Sequence, residues 1–490
     1  MPHIELPEPD AGVIRRRPIL IEGLKSRVGA DLLILDEDGR RAYETDAFTA
    51  YRNVPMLVVL PRTTEEVSKI LKFCHENDVK VIPRGAGTSL CGGALPTEDA
   101  IVLCVSKMNR VLEVDYANRF ARVEAGITNL EITSRVAPKG FFYAPDPSSQ
   151  LACTIAGNLA MNSGGAHCLK YGVTTHNVLG VKMVLIDGTI VDIGGTSLER
   201  NGYDLLSFVI GSEGQLGVVT EATVKILPAA EGARPLMIGF RSPEAAGSCV
   251  AAIIAAGIIP VAIEYMDRAA IEVCEAFAGA GYPLDVEALL IVEVEGSENE
   301  IGILLGRIAE IAAAHDPKTV VMSSGPEQSA RIWAGRKAAF GAIGRISDYL
   351  CMDGTIPLAQ LPHALTRISQ ICAEHELKVA NIFHAGDGNL HPLVLYDANN
   401  PSEADRAEMA GEAILKLCVE LGGCLTGEHG VGIEKRELMA SQFSPTDLAV
   451  QMRVKTVFDP TWRLNPAKVF PLAATEAMRA GRAASTPEAA

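Results

Sequence analysis

A glycine-rich segment directly after a short apolar strand most constrains how this chain can fold. Pro83–Gly93 reads PRGAGTSLCGG and follows a strand predicted for Val79–Pro83. Glycines let the backbone approach a ligand closely, and successive backbone N–H groups with nearby hydroxyls form a concave anion site. Arg84 adds a positive charge. The segment therefore predicts a diphosphate-binding loop, with a glycine turn that binds no ligand as the alternative.

The same segment departs from the Rossmann dinucleotide fingerprint. That fingerprint requires G-x-G-x-x-G followed by a helix. Leu90 stands where the third glycine should be, and the next apolar run, IVLCV, reads as another strand. A NAD-linked Rossmann dehydrogenase is therefore excluded.

Two further segments share this glycine-rich character. Pro145–Thr174 is long, low in charge and rich in Gly, Asn, Ser and Thr, and a loop of that length inside a domain is usually functional. Gly211–Ile226 is a glycine loop that leads into a strand. Three such segments in one chain indicate a ligand-binding domain much more specifically than one segment does.

Charge and cysteine content exclude several classes of protein. The 490 residues carry 44 Lys+Arg against 60 Asp+Glu, a net charge of −16, which argues against nucleic-acid binding. The 11 cysteines include no C-x-x-C pair, so we expect free thiols and no iron–sulfur cluster or zinc ribbon on this chain. The first residues show no basic stretch followed by an apolar one, so we expect no secretory signal.

One uncharged stretch needs a test for a membrane span. Ala245–Ile263 carries no charge over 19 residues. The break at Gly257–Pro260 favours a buried helix running into a strand over a transmembrane helix.

The pattern of strands and helices changes near Pro228. Before it, hairpins are predicted for Arg110–Gly126 and Val181–Gly194, the latter with an Asp-Gly turn. After it, strands alternate with longer helices, which predicts an α+β unit of antiparallel sheet with helices on one face. From about residue 473 the chain is Ala-rich and lacks aromatics, so we expect a disordered tail.

Two histidines flank a strong turn signal in the second half of the chain. FHAGDGNLHP places His384 and His391 seven residues apart, and a hairpin there would bring the two imidazoles together. Glu428 and His429 follow between glycines in TGEHGVG. Two histidines and a carboxylate are a common ligand set for Zn²⁺ or Mn²⁺. The alternative is that each histidine satisfies a backbone carbonyl, although four such polar groups are costly to bury without a task.

Together the three glycine-rich segments resemble the FAD-binding domain of the vanillyl-alcohol oxidase type flavoproteins, over roughly Tyr51–Pro471. The resemblance implies an α+β fold, with a two-part FAD-binding domain and an α+β substrate or cap domain built on antiparallel sheet. Thr88 stands where some members carry a flavin-linked histidine, so we expect non-covalent FAD. The expected bounds are 1–50 for an N-terminal extension with one or two helices, 51–228 for the FAD-binding domain, 229–425 for the substrate domain, 426–472 for a segment returning to the flavin, and 473–490 for the tail.

The resemblance also implies which residues hold the cofactor. The diphosphate would be held by Arg84, Gly85, Ala86, Gly87, Thr88 and Ser89. The flavin and adenosine would be lined by Pro145, Asp146, Thr154, Gly157, Asn158, Gly164 and Gly165. The adenine side would be closed by Gly214, Gly217 and Val218. Asn465, in LNPAK, would touch the isoalloxazine.

The histidine segments, with Trp333–Pro357, resemble the FAD-linked D-2-hydroxyacid dehydrogenases, which include the flavin subunit of bacterial glycolate oxidase and D-lactate dehydrogenases. This resemblance implies a divalent metal bound by His384, His391 and Glu428. It also implies that His429 is the general base and that Arg336 grips the substrate carboxylate, with a surface ion pair as the alternative for Arg336.

The resemblance implies oxidation of a small D-2-hydroxy acid, glycolate or D-lactate, to the 2-oxo acid by hydride transfer to flavin N5. In the hydroxyglutarate branch we expect a lysine at position 351. Cys351 stands there and provides no cation for a second carboxylate. A small acid is therefore favoured, and D-2-hydroxyglutarate or another longer acid is the alternative. A flavin-binding subunit that is inactive without partner subunits is the alternative from another class.

Partners are also implied only by resemblance. We expect electrons to pass to an iron–sulfur partner subunit and then quinone, with a soluble acceptor or separate flavoprotein as the alternative. We expect a cytoplasmic protein, either free or peripheral at the inner membrane through its partners, and leave a homodimer open.

Overall fold

A computed structural model describes residues 4–197 and 202–485, with side chains through residue 478. The described residues form two compact units. The flanking unit comprises 4–163, 173–227 and 429–485, and the central unit comprises 164–172 and 228–428. The main divisions, at 227/228 and 428/429, lie one and three residues from the boundaries predicted at 228/229 and 425/426. Residues 164–172, from the second glycine-rich segment, lie in the central unit.

Helices and strands are numbered in chain order over the whole chain. The helices of the flanking unit are α1 (Ala11–Arg15), α2 (Arg17–Val28), α3 (Glu37–Arg41), α4 (Thr64–Glu76), α5 (Asn129–Val136), α6 (Ile155–Met161), α8 (Leu205–Val209), α15 (Met439–Gln442), α16 (Pro445–Phe458) and α17 (Leu472–Ser485). Its strands are β1 (Leu33–Ile34), β2 (Leu57–Val59), β3 (Lys80–Arg84), β4 (Ala100–Cys104), β5 (Val111–Asp115), β6 (Phe120–Glu124), β7 (Phe141–Phe142), β8 (Val178–Val184), β9 (Ile190–Gly194), β10 (Val218–Lys225) and, at the division, β11 (Leu227–Pro228).

The flanking unit contains a four-stranded sheet of order β1-β2-β4-β3, in which β2, β4 and β3 run parallel. β1 pairs antiparallel with β2, and Leu20 and Leu24 of α2 are buried in the core that also contains Ile70 and Leu71 of α4. The N-terminal segment is thus a structural part of this unit and completes its sheet.

Helix α4 shows why the chain folds locally as its sequence predicts. Thr63 caps it by accepting a hydrogen bond from the backbone N–H of Glu66. Its buried residues include Val67, Ile70 and Cys74, at the spacing that places side chains on one helix face. That face packs into the core, which positions the start of β3.

A five-stranded antiparallel sheet of order β5-β6-β10-β8-β9 forms the second part of this unit. β5 pairs with β6 and β8 with β9, so both predicted hairpins are confirmed. In the β8–β9 turn Gly188 has φ +86°, and Asp187 accepts from the backbone N–H of Thr189.

The central unit is built on antiparallel sheet, as predicted. Its strands are β12 (Gly232–Phe240), β13 (Ala262–Asp267), β14 (Ala288–Gly296), β15 (Pro317–Met322), β16 (Asp348–Cys351), β17 (Gly354–Thr355), β18 (Lys378–His384), β19 (Asn389–Leu390) and β20 (Pro392–Tyr396). Its helices are α7 (Cys168–Tyr171), α9 (Pro243–Ala255), α10 (Arg268–Ala278), α11 (Glu298–Ala313), α12 (Pro326–Ile343), α13 (Leu361–Glu374) and α14 (Pro401–Glu420). The sheet runs β15-β12-β14-β13-β18-β19-β17, and β20 joins β16 to β18.

The expectation of helices on one face of this sheet is wrong, because both faces are covered. Ile291 of β14 packs with Ile271 of α10 and Ile332 of α12 in one core cluster. The neighbouring Leu290 and Val292 point to the opposite face, are fully buried, and lie on the side that α9 and α11 cover. Strands buried on both faces carry runs of consecutive apolar residues, as β14 does over Ala288–Val292.

The uncharged stretch Ala245–Ile263 falls in α9 and the start of β13, so the predicted helix-then-strand arrangement is confirmed. No helix among the described residues is both long and apolar enough to cross a membrane. The prediction of disorder from residue 473 is wrong for residues 473–485, which lie in α17, and residues 486–490 lie outside the described part of the chain.

Candidate functional site

The predicted hairpin brings His384 and His391 together. β18 ends at His384, which lies opposite Asn389, the first residue of β19. The two imidazole centroids are 5.3 Å apart with nearly perpendicular planes. Both side chains are buried in the central unit. The predicted turn between the two histidines is therefore confirmed, and their imidazoles meet as expected.

Glu428 completes a three-residue cluster in the same unit. Its Oε1 lies 3.0 Å from His391 Nε2 and 3.5 Å from His384 Nε2. One potential ligand atom from each of the three residues lies within 4.8 Å of the others. Two histidine nitrogens and a carboxylate oxygen therefore converge as the sequence predicts.

The cluster is strongly coupled electrostatically. Burial acts to lower the pKa of His391, but hydrogen bonds to Cys351 and Glu428 outweigh it and raise that pKa to about 10. Burial acts to raise the pKa of Glu428, but hydrogen bonds from the two histidines hold it well below its usual range. An opposite charge within hydrogen-bond reach favours the charged form of each partner.

Each member of the cluster is held by a further group. His384 Nδ1 lies 2.7 Å from Glu264 Oε1. His391 Nδ1 lies 3.2 Å from the carbonyl oxygen of Met352. The backbone N–H of Glu428 donates to Asp353. Such outer partners orient ligand side chains in metal sites.

Arg336, predicted to bind substrate, is buried beside this cluster. Its Nε lies 2.8 Å and its Nη2 2.6 Å from Glu264 Oε2. The arginine is 5% exposed and the glutamate 1%. The ion pair that the sequence left as the alternative for Arg336 is therefore present, but it is buried rather than on the surface.

Sequence reasoning missed Glu264 and Asp353 as site residues. Glu264 is the one charge in the apolar run PVAIEYM of β13, and that isolation was the available signal. Asp353 is fully buried after β16 and accepts from Thr426 Oγ1 and from the backbone N–H groups of Gly427 and Glu428. Nothing local in the sequence marks that contact.

In the flanking unit, the first glycine-rich segment begins where β3 ends. A Cβ on Gly85 would lie 2.1 Å from Thr154 Oγ1, and Gly87 has φ +76°. Arg84 is buried, and its Nη1 donates to the carbonyl oxygen of Thr45. The loop therefore depends on glycines, and the Arg84 guanidinium supports it from within the protein. Ala86 is exposed, whereas Thr88 and Ser89 are half-buried.

The third glycine-rich segment and the late asparagine join this loop. A Cβ on Gly214, where φ is +72°, would touch Pro83. Asn465 Nδ2 donates to the carbonyl oxygens of Gly93 and Glu213, at 2.9 and 2.6 Å. Asn465 Oδ1 is buried and has no hydrogen-bond partner among the residues that the structure describes. Three predicted segments therefore meet in one place.

The remaining predicted cofactor residues are divided between the units. In the flanking unit, Thr154 caps α6 by accepting from the backbone N–H of Gly157, and Asn158 is buried in that helix. The other residues there are Pro145, Asp146, Gly217 and Val218, the last of which begins β10. Gly164 and Gly165 belong to the central unit.

His429, the predicted base, begins the last part of the flanking unit, directly after Glu428 ends the central one. Cys91 Sγ donates to the His429 carbonyl oxygen, at 3.2 Å. The Glu213 carboxylate accepts from the backbone N–H groups of Val431 and Gly432. Cys91 of the first glycine-rich segment and Glu213 of the third thus hold the backbone around this histidine.

Comparison with known protein families gives two matches along the chain. Residues 55–194 match the FAD binding domain family, and residues 230–469 match the C-terminal domain of FAD linked oxidases. The two matches follow one another in the order that the sequence predicts for cofactor and substrate domains.

Individual relatives match over nearly the whole chain. The glycolate oxidase subunit GlcD of Escherichia coli strain K12 is 47% identical over 457 residues, which cover 93% of this chain and 91% of that protein. The D-lactate dehydrogenase of Anaerostipes hadrus is 31% identical over 468 residues, covering 92% and 97%.

A solved structure has the same fold. The 4-ethylphenol oxidase of Gulosibacter chungangensis superposes with a TM-score of 0.79 at 16% identity, covering 96% of this chain and 100% of that one.

Proposed function

This chain belongs to the FAD-linked oxidases, the family of the glycolate oxidase subunit GlcD and the D-lactate dehydrogenases, and on that premise we propose that it oxidises a small D-2-hydroxy acid to the 2-oxo acid. It is an FAD-linked oxidoreductase. The observation that carries the substrate proposal is the cluster of the buried His384 and His391 with the half-buried Glu428, beside Arg336. Such a cluster suits an acid whose hydroxyl oxygen lies next to its carboxylate oxygens.

The flanking unit fits FAD through its own residues. Gly85 and Gly87 leave room for close approach to the backbone, and Asn465 Oδ1 is an acceptor still available to a ligand N–H or hydroxyl. Thr88 at the place of a linking histidine fits a non-covalent cofactor. The bound flavin supplies the hydride acceptor of the reaction, and the protein binds and orients it.

His384, His391 and Glu428 would hold a divalent metal, Zn²⁺ or Mn²⁺. Their ligand atoms are close enough to share one ion, and each side chain is anchored by an outer group. When bound, the metal would lower the pKa of the substrate hydroxyl and help to fix its pose.

His429 would take the hydroxyl proton, since a histidine changes charge near neutral pH and suits general-base work. Arg336 would bind the substrate carboxylate. Glu264 accepts a hydrogen bond from Arg336 Nε and lies 2.6 Å from its Nη2, and the guanidinium has five N–H donors, so donors remain for the substrate. The buried setting of the arginine would strengthen that contact because water is excluded.

Glycolate and D-lactate are the preferred substrates, because Cys351 provides no cation for a second carboxylate. D-2-Hydroxyglutarate remains the second candidate. We further propose that electrons leave to an iron–sulfur partner subunit and then quinone, with inner-membrane association through that partner. The name of the GlcD relative, a subunit of glycolate oxidase, supports a multi-subunit assembly.

The test is an anaerobic absorbance spectrum of the purified protein before and after adding glycolate, D-lactate, L-lactate or D-2-hydroxyglutarate. We expect the flavin bands to bleach with glycolate or D-lactate and to persist with L-lactate. Bleaching only with D-2-hydroxyglutarate would move the assignment to the longer acid. Flavin bands that persist with every acid, with Zn²⁺ or Mn²⁺ supplied, would contradict the proposed activity of the isolated chain.

A further inference from the structure

We propose that Glu264 is the positioning residue of the metal site: its carboxylate fixes the imidazole of His384 so that Nε2 is presented to the metal. This inference rests on the proposed metal site and goes beyond it, because Glu264 is outside the ligand set that the sequence predicts. The Glu264 carboxylate binds both Arg336 and His384, so Arg336 would also hold Glu264 in place.

The backbone places the two residues face to face. Glu264 on β13 lies directly opposite His384 on β18 in the antiparallel pairing. Directly opposite residues on antiparallel strands point to the same side of the sheet with their Cβ atoms about 5 Å apart. The short contact of 2.7 Å between Glu264 Oε1 and His384 Nδ1 therefore follows from strand register and does not depend on a flexible loop.

This contact determines which imidazole nitrogen is available. A neutral imidazole has one N–H donor and one acceptor nitrogen. A carboxylate accepts only, so the hydrogen bond to Glu264 places the proton on Nδ1 and leaves the Nε2 lone pair free. Nε2 is the nitrogen that lies 3.5 Å from Glu428, on the side of the other two proposed ligands. Glu264 therefore sets both the tautomer and the orientation of His384.

Arg336 fixes Glu264 in turn. Two guanidinium nitrogens lie within 2.8 Å of Oε2, the carboxylate oxygen that does not face His384. The glutamate side chain is fully buried, and a buried carboxylate persists only when it is paired. The chain Arg336–Glu264–His384 is thus a connected set of charge-assisted contacts behind one metal ligand.

The corresponding partner of His391 is weaker. His391 Nδ1 faces a neutral backbone carbonyl at 3.2 Å and the Asp353 carboxylate only at 4.0 Å, whereas His384 Nδ1 faces the Glu264 carboxylate at 2.7 Å. Charge-assisted hydrogen bonds are shorter and roughly twice as strong as neutral ones. Removing the charge of Glu264 should therefore loosen the orientation of His384, whose Nδ1 contact is the shorter and charge-assisted one of the two.

Glu293 provides a matched control. It lies on β14 on the same side of the sheet as Glu264, because it is opposite Ala262, two residues before Glu264 on β13. It is 8% exposed and accepts from Trp333 Nε1, one turn before Arg336 on α12. Among the described residues, no hydrogen bond joins Glu293 to His384, His391 or Glu428.

The experiment titrates Co²⁺ into the FAD-loaded, chelator-stripped full-length protein and records difference spectra against the metal-free sample. Outer-shell substitutions typically cost about 10- to 100-fold in metal affinity, and we expect that loss, with a changed Co²⁺ ligand-field spectrum, in Glu264→Gln. Glu293→Gln should bind Co²⁺ like the wild type. Flavin content and melting temperature report folding independently of the metal.

If Glu264→Gln does not fold because Arg336 is left unpaired, the double variant Glu264→Gln with Arg336→Gln removes both charges and carries the same expected loss. Wild-type Co²⁺ affinity and spectrum in a folded variant lacking the Glu264 charge would overturn the inference while leaving the metal site intact. A wild-type protein that binds no Co²⁺, or binds it equally well after His391→Ala, would overturn the metal site itself and this inference with it.

Discussion

The backbone N–H of Glu428 donates to the carboxylate of Asp353, at 3.2 Å and across 75 residues of chain. The same carboxylate accepts from Thr426 Oγ1 and from the backbone N–H of Gly427. Asp353 is fully buried, so the three donors replace the water that a carboxylate would otherwise bind. The loop that presents Glu428 to the histidines is thereby anchored to the end of β16.

Asp353→Asn should loosen this loop. Asparagine keeps one acceptor oxygen and places an NH₂ group where the second oxygen accepted, so at least one buried donor loses its partner. We expect a loss of about 1–3 kcal/mol in the free energy of unfolding, together with weaker metal binding. Urea unfolding and metal titration measure the two effects. Asp348→Asn, at an exposed carboxylate on β16, the strand that precedes Asp353, is the matched control and should change neither.

His429→Gln should abolish most turnover while FAD stays bound. Loss of a general base typically costs about 10²–10⁴-fold in rate, and the backbone contact from Cys91 to position 429 does not need the imidazole. Anaerobic stopped-flow reduction of the flavin by the hydroxy acid gives the rate. His363→Gln, at an exposed position on α13, should reduce its flavin at the wild-type rate. An unchanged rate of flavin reduction in His429→Gln would refute the proposal that His429 is the general base.

Gly85→Ala should weaken FAD binding. The new Cβ would lie 2.1 Å from Thr154 Oγ1, so the loop or the start of α6 must move. Overpacking of this kind costs about 1–3 kcal/mol, or about 5- to 150-fold in a dissociation constant. Flavin fluorescence titration of the apoprotein measures it. Gly195→Ala, whose Cβ would have no atom within 4 Å, should bind FAD normally, and equal affinities for both variants would contradict the predicted loop.

Asp267 should make stability depend on pH. Burial raises the pKa of its carboxyl from 3.8 to about 6, despite hydrogen bonds from Ala270 and Asn381. Between these values the folded protein keeps a proton that the unfolded chain has released, so stability falls as pH rises through that window. The nearby Tyr265 and Cys274 stay neutral in this window, because burial raises the pKa of the tyrosine well above its usual range and that of the thiol to about 11.

Asp267→Asn removes this proton uptake. The wild type should therefore lose stability relative to the variant as the pH rises. The free energy of unfolding of the variant minus that of the wild type should increase by about 1 kcal/mol from about pH 5 to about pH 7.5. Urea unfolding at the two pH values measures it. Asp316→Asn, at a carboxylate that is 85% exposed, should follow the wild-type pH profile. A pH-independent difference for Asp267→Asn would contradict the prediction.

Features that depend on neighbouring residues could be read from the sequence. Thr63 caps α4, the Asp-Gly turn closes the β8–β9 hairpin, and the turn between His384 and His391 brings their imidazoles together. Each of these structures is decided within about ten residues by backbone conformation and local hydrogen bonding. The glycine-rich segments were recognisable from their composition, and Gly87 and Gly214 meet a local requirement for positive φ.

Only the tertiary structure decided how distant segments support the site. Glu264 and His384 are 120 residues apart, and their contact exists because β13 pairs with β18 in one register. Likewise, β1 completes a sheet with β2, and both faces of the central sheet are covered by helices. Strand order and register depend on how apolar faces are buried across the whole chain, and no local pattern specifies them. The sequence thus singled out the residues for which we propose the chemistry, whereas the fold selected the buried carboxylates that hold His384 and the Glu428 loop in place.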